Sequence, residues 1–164
     1  MFESLKEFNS IVISGPQRSG TRIAAKIVAH DTSKQYIDEK YLNFHDSRLL
    51  RYYLNNGNVV IQCPGLCHLL HNIQDKLTLV VVVRRSISEI IASEHLKWPE
   101  VSRKIELAKY GYSEGIISEI KYNYWNNVQK PILDNNAREI RYNTLKDHIL
   151  FIHNRKNFNW DQTE

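Results

Sequence analysis

The segment IVISGPQRSGTRIAAKIVAHD, Ile11 to Asp31, constrains this chain more than any other stretch. Ser10 to Ser14 is apolar and β-branched and runs directly into Gly15-Pro16, so it reads as a short buried strand ending in a turn. Thr21 to His30 then carries a helical pattern. A strand, a glycine-bracketed loop and a helix amino terminus in succession gather backbone N–H groups and the positive end of a helix dipole at one point, which favours an anion. Arg18 and Arg22 add permanent positive charge there. The plainer reading is a connecting turn capped by Ser19 or Thr21, but it leaves the Gly, Arg, Ser, Gly, Thr combination unexplained.

The rest of the chain alternates in the same way. Gln35 to Asp38 is a weak second strand, Phe44 to Gly57 a helix with an Asn-Asn-Gly stop, and Asn58 to Gln62 a third strand broken by Pro64-Gly65. Leu66 to Gln74 reads as helical. Leu77 to Val83 reads as a fourth strand buried on both faces, as in parallel sheets. Ser86 to Leu96 is a helix, and Trp98 to Val128 reads as two helices interrupted near Gly111 to Gly115 and ended by Pro131. Arg138 to Tyr142 is a fifth strand, followed by a helix across Leu145 to Ile152 and a polar tail. This order predicts a three-layer α/β/α P-loop-type domain over residues 1–164, with a mostly parallel sheet of about five strands and ligands beyond their carboxyl ends.

A chain of 164 residues is long enough for one well-packed core and short for two. The longest apolar run, Leu77 to Val83, is far below the roughly 20 residues that span a bilayer, and the charged start MFESLKEF does not resemble a signal peptide, so a cytoplasmic protein without membrane contact is expected. The formal charge of +4 favours anionic partners without choosing among them. Tyr122, Tyr124 and Trp125 fall within a helical stretch, where packing is a simpler role than stacking on nucleic acid. Cys63, Cys67, His68 and His71 offer donors on paper. On an α-helix, however, His68 points away from the face shared by Cys67 and His71, so no metal site is expected.

Gly15 to Gly20 satisfies G-x-x-x-x-G, but Thr21 and Arg22 stand where an ATP-type loop has lysine and a hydroxyl residue. GPQRSGTR instead resembles the P-x-K/R-S-G-T loop of sulfotransferases that use 3'-phosphoadenosine 5'-phosphosulfate (PAPS). That resemblance implies that Gly15, Pro16, Gln17, Arg18, Ser19, Gly20, Thr21 and Arg22 hold the 5'-phosphosulfate, with Arg18 next to the transferring group and Arg22 in place of a frequent second threonine. RRSISEIIASEHL resembles the family's R-x-x-x-D-x-x-x-S motif, which implies that Arg85 and Ser93 bind the 3'-phosphate, with Glu89 for aspartate. The plainer reading of Arg84-Arg85 is a solvated pair. VVIQCPGLCHLL is similar to K-x-P-G-h-x-x-x-L with Gln62 for lysine, and RKNFNW to the C-terminal R-K-G segment, which implies ligand roles for Arg155 and Lys156.

Sulfuryl transfer needs an in-line acceptor, a base and positive charge over the moving group. Glu39, which resembles the glutamate of the tyrosylprotein-type branch, is the first candidate base, His45 the second and His68 the third. The plainer role of Glu39 is a surface carboxylate beside Lys40. The expected function is therefore transfer of a sulfuryl group from PAPS to a hydroxyl or amine of a small-molecule, glycan or peptide acceptor, without a metal. Homo-oligomerisation stays open. The alternatives are a P-loop kinase, which wants a lysine and an acidic magnesium holder, and a remnant that binds nucleotide without turnover.

Overall fold

The computed structural model describes residues 1–157, with side chains through residue 153. Five strands, β1 (Ser10–Ser14), β2 (Gln35–Ile37), β3 (Val59–Gln62), β4 (Thr78–Arg84) and β5 (Ala137–Arg141), form one sheet in the order β2-β3-β1-β4-β5. Every pairing is parallel, as the unbroken apolar character of β1 and β4 requires. Because neighbouring strand residues face opposite sides, Ile11 and Ile13 pack with α1 (Thr21–Thr32), while Val12 packs into the other face. That other face is covered by α2 (Ser47–Asn56), by a 3-10 helix, Pro64–Asn72, and by Tyr122 and Trp125. Leu79 to Val83 of β4 are 0–1 % exposed. Each such valine contributes roughly 1.5 kcal/mol or more by leaving water.

Beyond β4 come α3 (Ile87–Lys97), α4 (Glu100–Lys109) and α5 (Ile117–Tyr124), with the break at Gly111 to Gly115 where glycines were expected to place it. Pro131 does not end this region. The chain continues through a π-helical turn, Trp125–Gln129, into α6 (Lys130–Leu133), and turns only at Asp134 with φ 52°. A proline in the first turn of α6 needs no intrahelical N–H bond, and the widened turn before it relieves its ring. Two short helices, α7 (Tyr142–Leu145) and α8 (Ile149–Asn157), close the described chain.

Pro64–Asn72 being 3-10 rather than α-helical changes which residues share a side, because the period becomes three. His68 and His71 accordingly lie edge-on to Tyr110 and Tyr124, whose rings meet each other at 5.2 Å. Tyr122 and Trp125 are core residues, 5 % and 0 % exposed.

At the far end of α1 from the glycine loop, Asp31 accepts hydrogen bonds from the Phe2 N–H, His30 and His148. Burial alone would raise its pKa, but the two histidine contacts outweigh this and hold it well below the usual carboxylate range. The Leu150 N–H donates to Nδ1 of His148, which puts the ring proton on Nε2, facing Asp31. A cation among these three residues would have to displace that proton, so the cluster serves to join α1 to α8.

Candidate functional site

Parallel strands bring their carboxyl ends to one edge, and β1 lies between β3 and β4, so the segments following these strands meet there. The loop after β1 turns through three left-handed residues, Gly15 (φ 143°), Arg18 (φ 69°) and Gly20 (φ 96°). Ser19 closes it by donating both its N–H and its hydroxyl to the carbonyl of Pro16, at 3.2 and 2.6 Å. Both donors of Ser19 are thus engaged in holding the turn. Gly20 is required by contact as well as by φ, since a Cβ there would stand 2.4 Å from the Tyr142 ring. Thr21 opens α1 and accepts a hydrogen bond from Gln62 at 3.1 Å. Arg22 forms an ion pair with Asp38 at the end of β2, at 3.3 Å.

The second motif joins the first. Nε of Arg18, 8 % exposed, donates to the hydroxyl of Ser93 at 2.7 Å. Arg85 donates to the Arg18 carbonyl at 2.8 Å, lies 4.3 Å from the centre of the Tyr142 ring and pairs with Glu89 at 3.2 Å. Arg84 takes the structural half of the pair: it contacts Asn126, bonds Glu139 at 2.9 Å and covers the ring of Tyr122. The Tyr122 hydroxyl in turn bridges the Val83 carbonyl and the Arg85 N–H. Arg18, Arg85 and Ser93 thus adjoin, bringing the segments after β1 and β4 into contact.

Glu39 follows β2 beside the same edge, its N–H 3.5 Å from the side chain of Gln62. The amide of Gln62 therefore lies between Glu39 and Thr21. His45 and His68 are placed further along, around Gly65 and Lys109. Lys109 bonds the Gly65 carbonyl at 3.2 Å and lies 3.5 Å from His45. Burial, reinforced by Lys109, lowers the His68 pKa to about 4, so this ring is neutral at pH 7. The side chains of Arg155 and Lys156 lie outside the described residues, and their expected ligand roles find no geometry here.

Several residues of this edge were not singled out from the sequence. Lys121, with its side chain 0 % exposed, donates to Gln17 of the loop at 2.6 Å and to Glu106 at 2.8 Å. Glu106 also holds Lys109 at 2.6 Å. Burial would raise the Glu106 pKa, but Lys121 and Lys109 outweigh it and hold the carboxyl below its ordinary value. Glu94 is 4 % exposed with Oε1 lacking a hydrogen-bond partner, and burial raises its pKa against the pull of Arg103, Lys121 and Arg18. Two clefts, of about 740 Å³ beside α2 and about 380 Å³ between residues 73–76 and 132–136, do not touch the loop. Chemically, the strand-end edge offers buried guanidinium and ammonium groups around a backbone cradle, suited to the anionic end of a nucleotide.

No family model and no curated protein matches the chain. Solved structures do. A shikimate kinase from Acinetobacter baumannii, in complex with shikimate, superposes with a TM-score of 0.54 at 10% identity over 96% of this chain and 94% of that one. A shikimate kinase from Bacteroides thetaiotaomicron gives 0.51 at 12% identity over 90% and 94%. The fold is therefore the α/β fold of these P-loop kinases, with a five-stranded all-parallel sheet flanked by helices. Among the described residues, no helix is long and apolar enough to cross a membrane.

Proposed function

We propose that the protein is a group transferase whose loop at residues 15–21 holds the anionic end of an adenosine nucleotide, and that the group moved is sulfuryl, from PAPS. The observation that carries this reading is the junction of Arg18 with Ser93 and Arg85, which unites the two motifs that resemble sulfotransferases. The residues fit such a donor in kind: a backbone cradle with a buried arginine for the 5' end, and an arginine with a serine hydroxyl for a 3'-phosphate. When bound, PAPS supplies a sulfuryl group on a good leaving phosphate. Arg18 stabilises the charge left on that phosphate, Arg85 and Ser93 discriminate for the 3'-phosphate, and Glu39 takes the proton of the acceptor hydroxyl or amine. No metal enters this reading, in which Arg18 and the amino terminus of α1 supply the positive charge.

The kinase alternative has its own support, and the structural comparisons favour it over the sulfotransferase reading, since the neighbours are kinases. Against it stand the residues: Thr21 and Arg22 replace the lysine and hydroxyl residue such a loop uses, and Arg22 is paired with Asp38. Calorimetric titration with 3'-phosphoadenosine 5'-phosphate (PAP), AMP and Mg-ATP at one salt concentration separates the two. The expected result is PAP binding more than about tenfold tighter than AMP, the value of one or two hydrogen bonds to a charged group. Preference for Mg-ATP, with magnesium-dependent hydrolysis, overturns the sulfuryl reading in favour of a kinase. PAP binding with no transfer to any acceptor makes the protein a nucleotide binder.

A further inference from the structure

Lys121 is the least expected group at this edge. Its side chain is fully buried, it comes from α5 rather than the loop, and it reaches a loop side chain from 104 residues away in sequence. A buried ammonium is retained only when strongly compensated. Among the described residues its one ionic hydrogen-bond partner, Glu106, is shared with Lys109, and its other partner is the neutral amide oxygen of Gln17. Two ammonium groups, Lys121 and Lys109, thus share the one carboxylate of Glu106 beside the loop. Two buried or half-buried ammonium groups on one carboxylate, one of them bonded to the loop, favour an anion there.

We infer that Lys121 is the cation the loop lacks: on donor binding its Nζ exchanges the Gln17 amide oxygen for an oxygen of the donor's terminal anionic group, while Glu106 keeps the ammonium aimed at the loop. The inference rests on the loop holding a nucleotide's anionic end, as proposed above, but not on whether the terminal group is sulfuryl or phosphoryl. It assigns α4 and α5 a binding role, as the elements that carry a charge over the loop. It also gives Gln17 a purpose, because a neutral acceptor releases an ammonium more readily than a carboxylate does.

The test compares nucleotide pairs that differ only in the terminal group, PAPS against PAP and ATP against ADP, by calorimetry on wild type and Lys121→Met. Methionine keeps an unbranched apolar stem, and Glu106 retains Lys109 as partner. The wild type is expected to bind the member carrying the terminal group about tenfold to a hundredfold more tightly. Lys121→Met loses that difference while its affinity for PAP stays within about twofold. If Lys121→Met does not fold, Lys121→Gln, which still donates to Glu106, makes the same comparison. Equal losses for both members of a pair, or no loss, overturn the assignment. If the wild type ignores PAP and PAPS yet prefers ATP to ADP through Lys121, the donor proposed above falls and the Lys121 site stands. Binding of none of the four removes both.

Discussion

Substituting Gly20 by alanine strains the site in two ways that can be separated. The backbone at Gly20 has φ 96°, where a Cβ costs about 1–2 kcal/mol. The new methyl would also stand 2.4 and 2.7 Å from two carbons of the Tyr142 ring. That ring has little room to retreat, with the Arg85 guanidinium 4.3 Å from its centre and Phe151 edge-on at 5.8 Å. Overpacking of this kind costs about 1–3 kcal/mol, so Gly20→Ala is expected to lose about 2–5 kcal/mol in all. Urea unfolding of Gly20→Ala, Tyr142→Ala and the double variant measures both parts. The cycle should return a coupling of about 1–3 kcal/mol, the steric share, because removing the ring relieves the clash but not the backbone strain. A Gly20→Ala protein within about 0.5 kcal/mol of wild type, or one showing no coupling to Tyr142, refutes the reasoning. The same variant should weaken PAP binding, since a displaced Tyr142 moves the arginine stacked on it.

Ser93→Ala removes the acceptor for Nε of a buried arginine and is expected to cost about 1.5–3 kcal/mol in urea unfolding, whether or not a nucleotide is present. Glu106 governs a pH effect. Its folded pKa lies below its unfolded value, so its stabilising contribution is complete above the ordinary glutamate range and is lost as pH falls through the depressed value. Glu106→Gln should therefore unfold at lower urea than wild type at pH 7, by about 3 kcal/mol for a broken buried pair, with the gap narrowing on acidification below about pH 4. A gap that stays constant down to pH 3 contradicts the assignment.

What could be read from the sequence was what lies close along the chain. The five strands and the break between α4 and α5 follow from local runs of valine, isoleucine and glycine, and the loop announces itself because its glycines and arginine directly follow β1. Arg85 and Ser93 were legible for the same reason, sitting just after β4. Lys121 was not, because within α5 it reads as one more surface lysine in a polar-aromatic helix, and only the tertiary fold takes it out of water. Glu106 had the same disguise. Pro131 misled because a proline normally stops a helix, and the π turn that accommodates it leaves no local signature. The 3-10 character of Pro64–Asn72 was hidden because its leucine spacing suits an α-helix equally well.

The sheet order has a consequence for how the protein is born. β1 is synthesised first among the strands, yet its central place is completed only when β4 pairs beside it, and the loop it carries is gripped by residues that come later still. At ribosomal speeds, the 104 residues between Gln17 and Lys121 take about 5–20 s to make. Throughout that interval the nascent loop lacks Ser93 or Lys121 or both, and the left-handed Arg18 has no serine hydroxyl to fix its guanidinium. The side chains that grip the loop thus arrive with the second half of the chain, just before β5 completes the sheet.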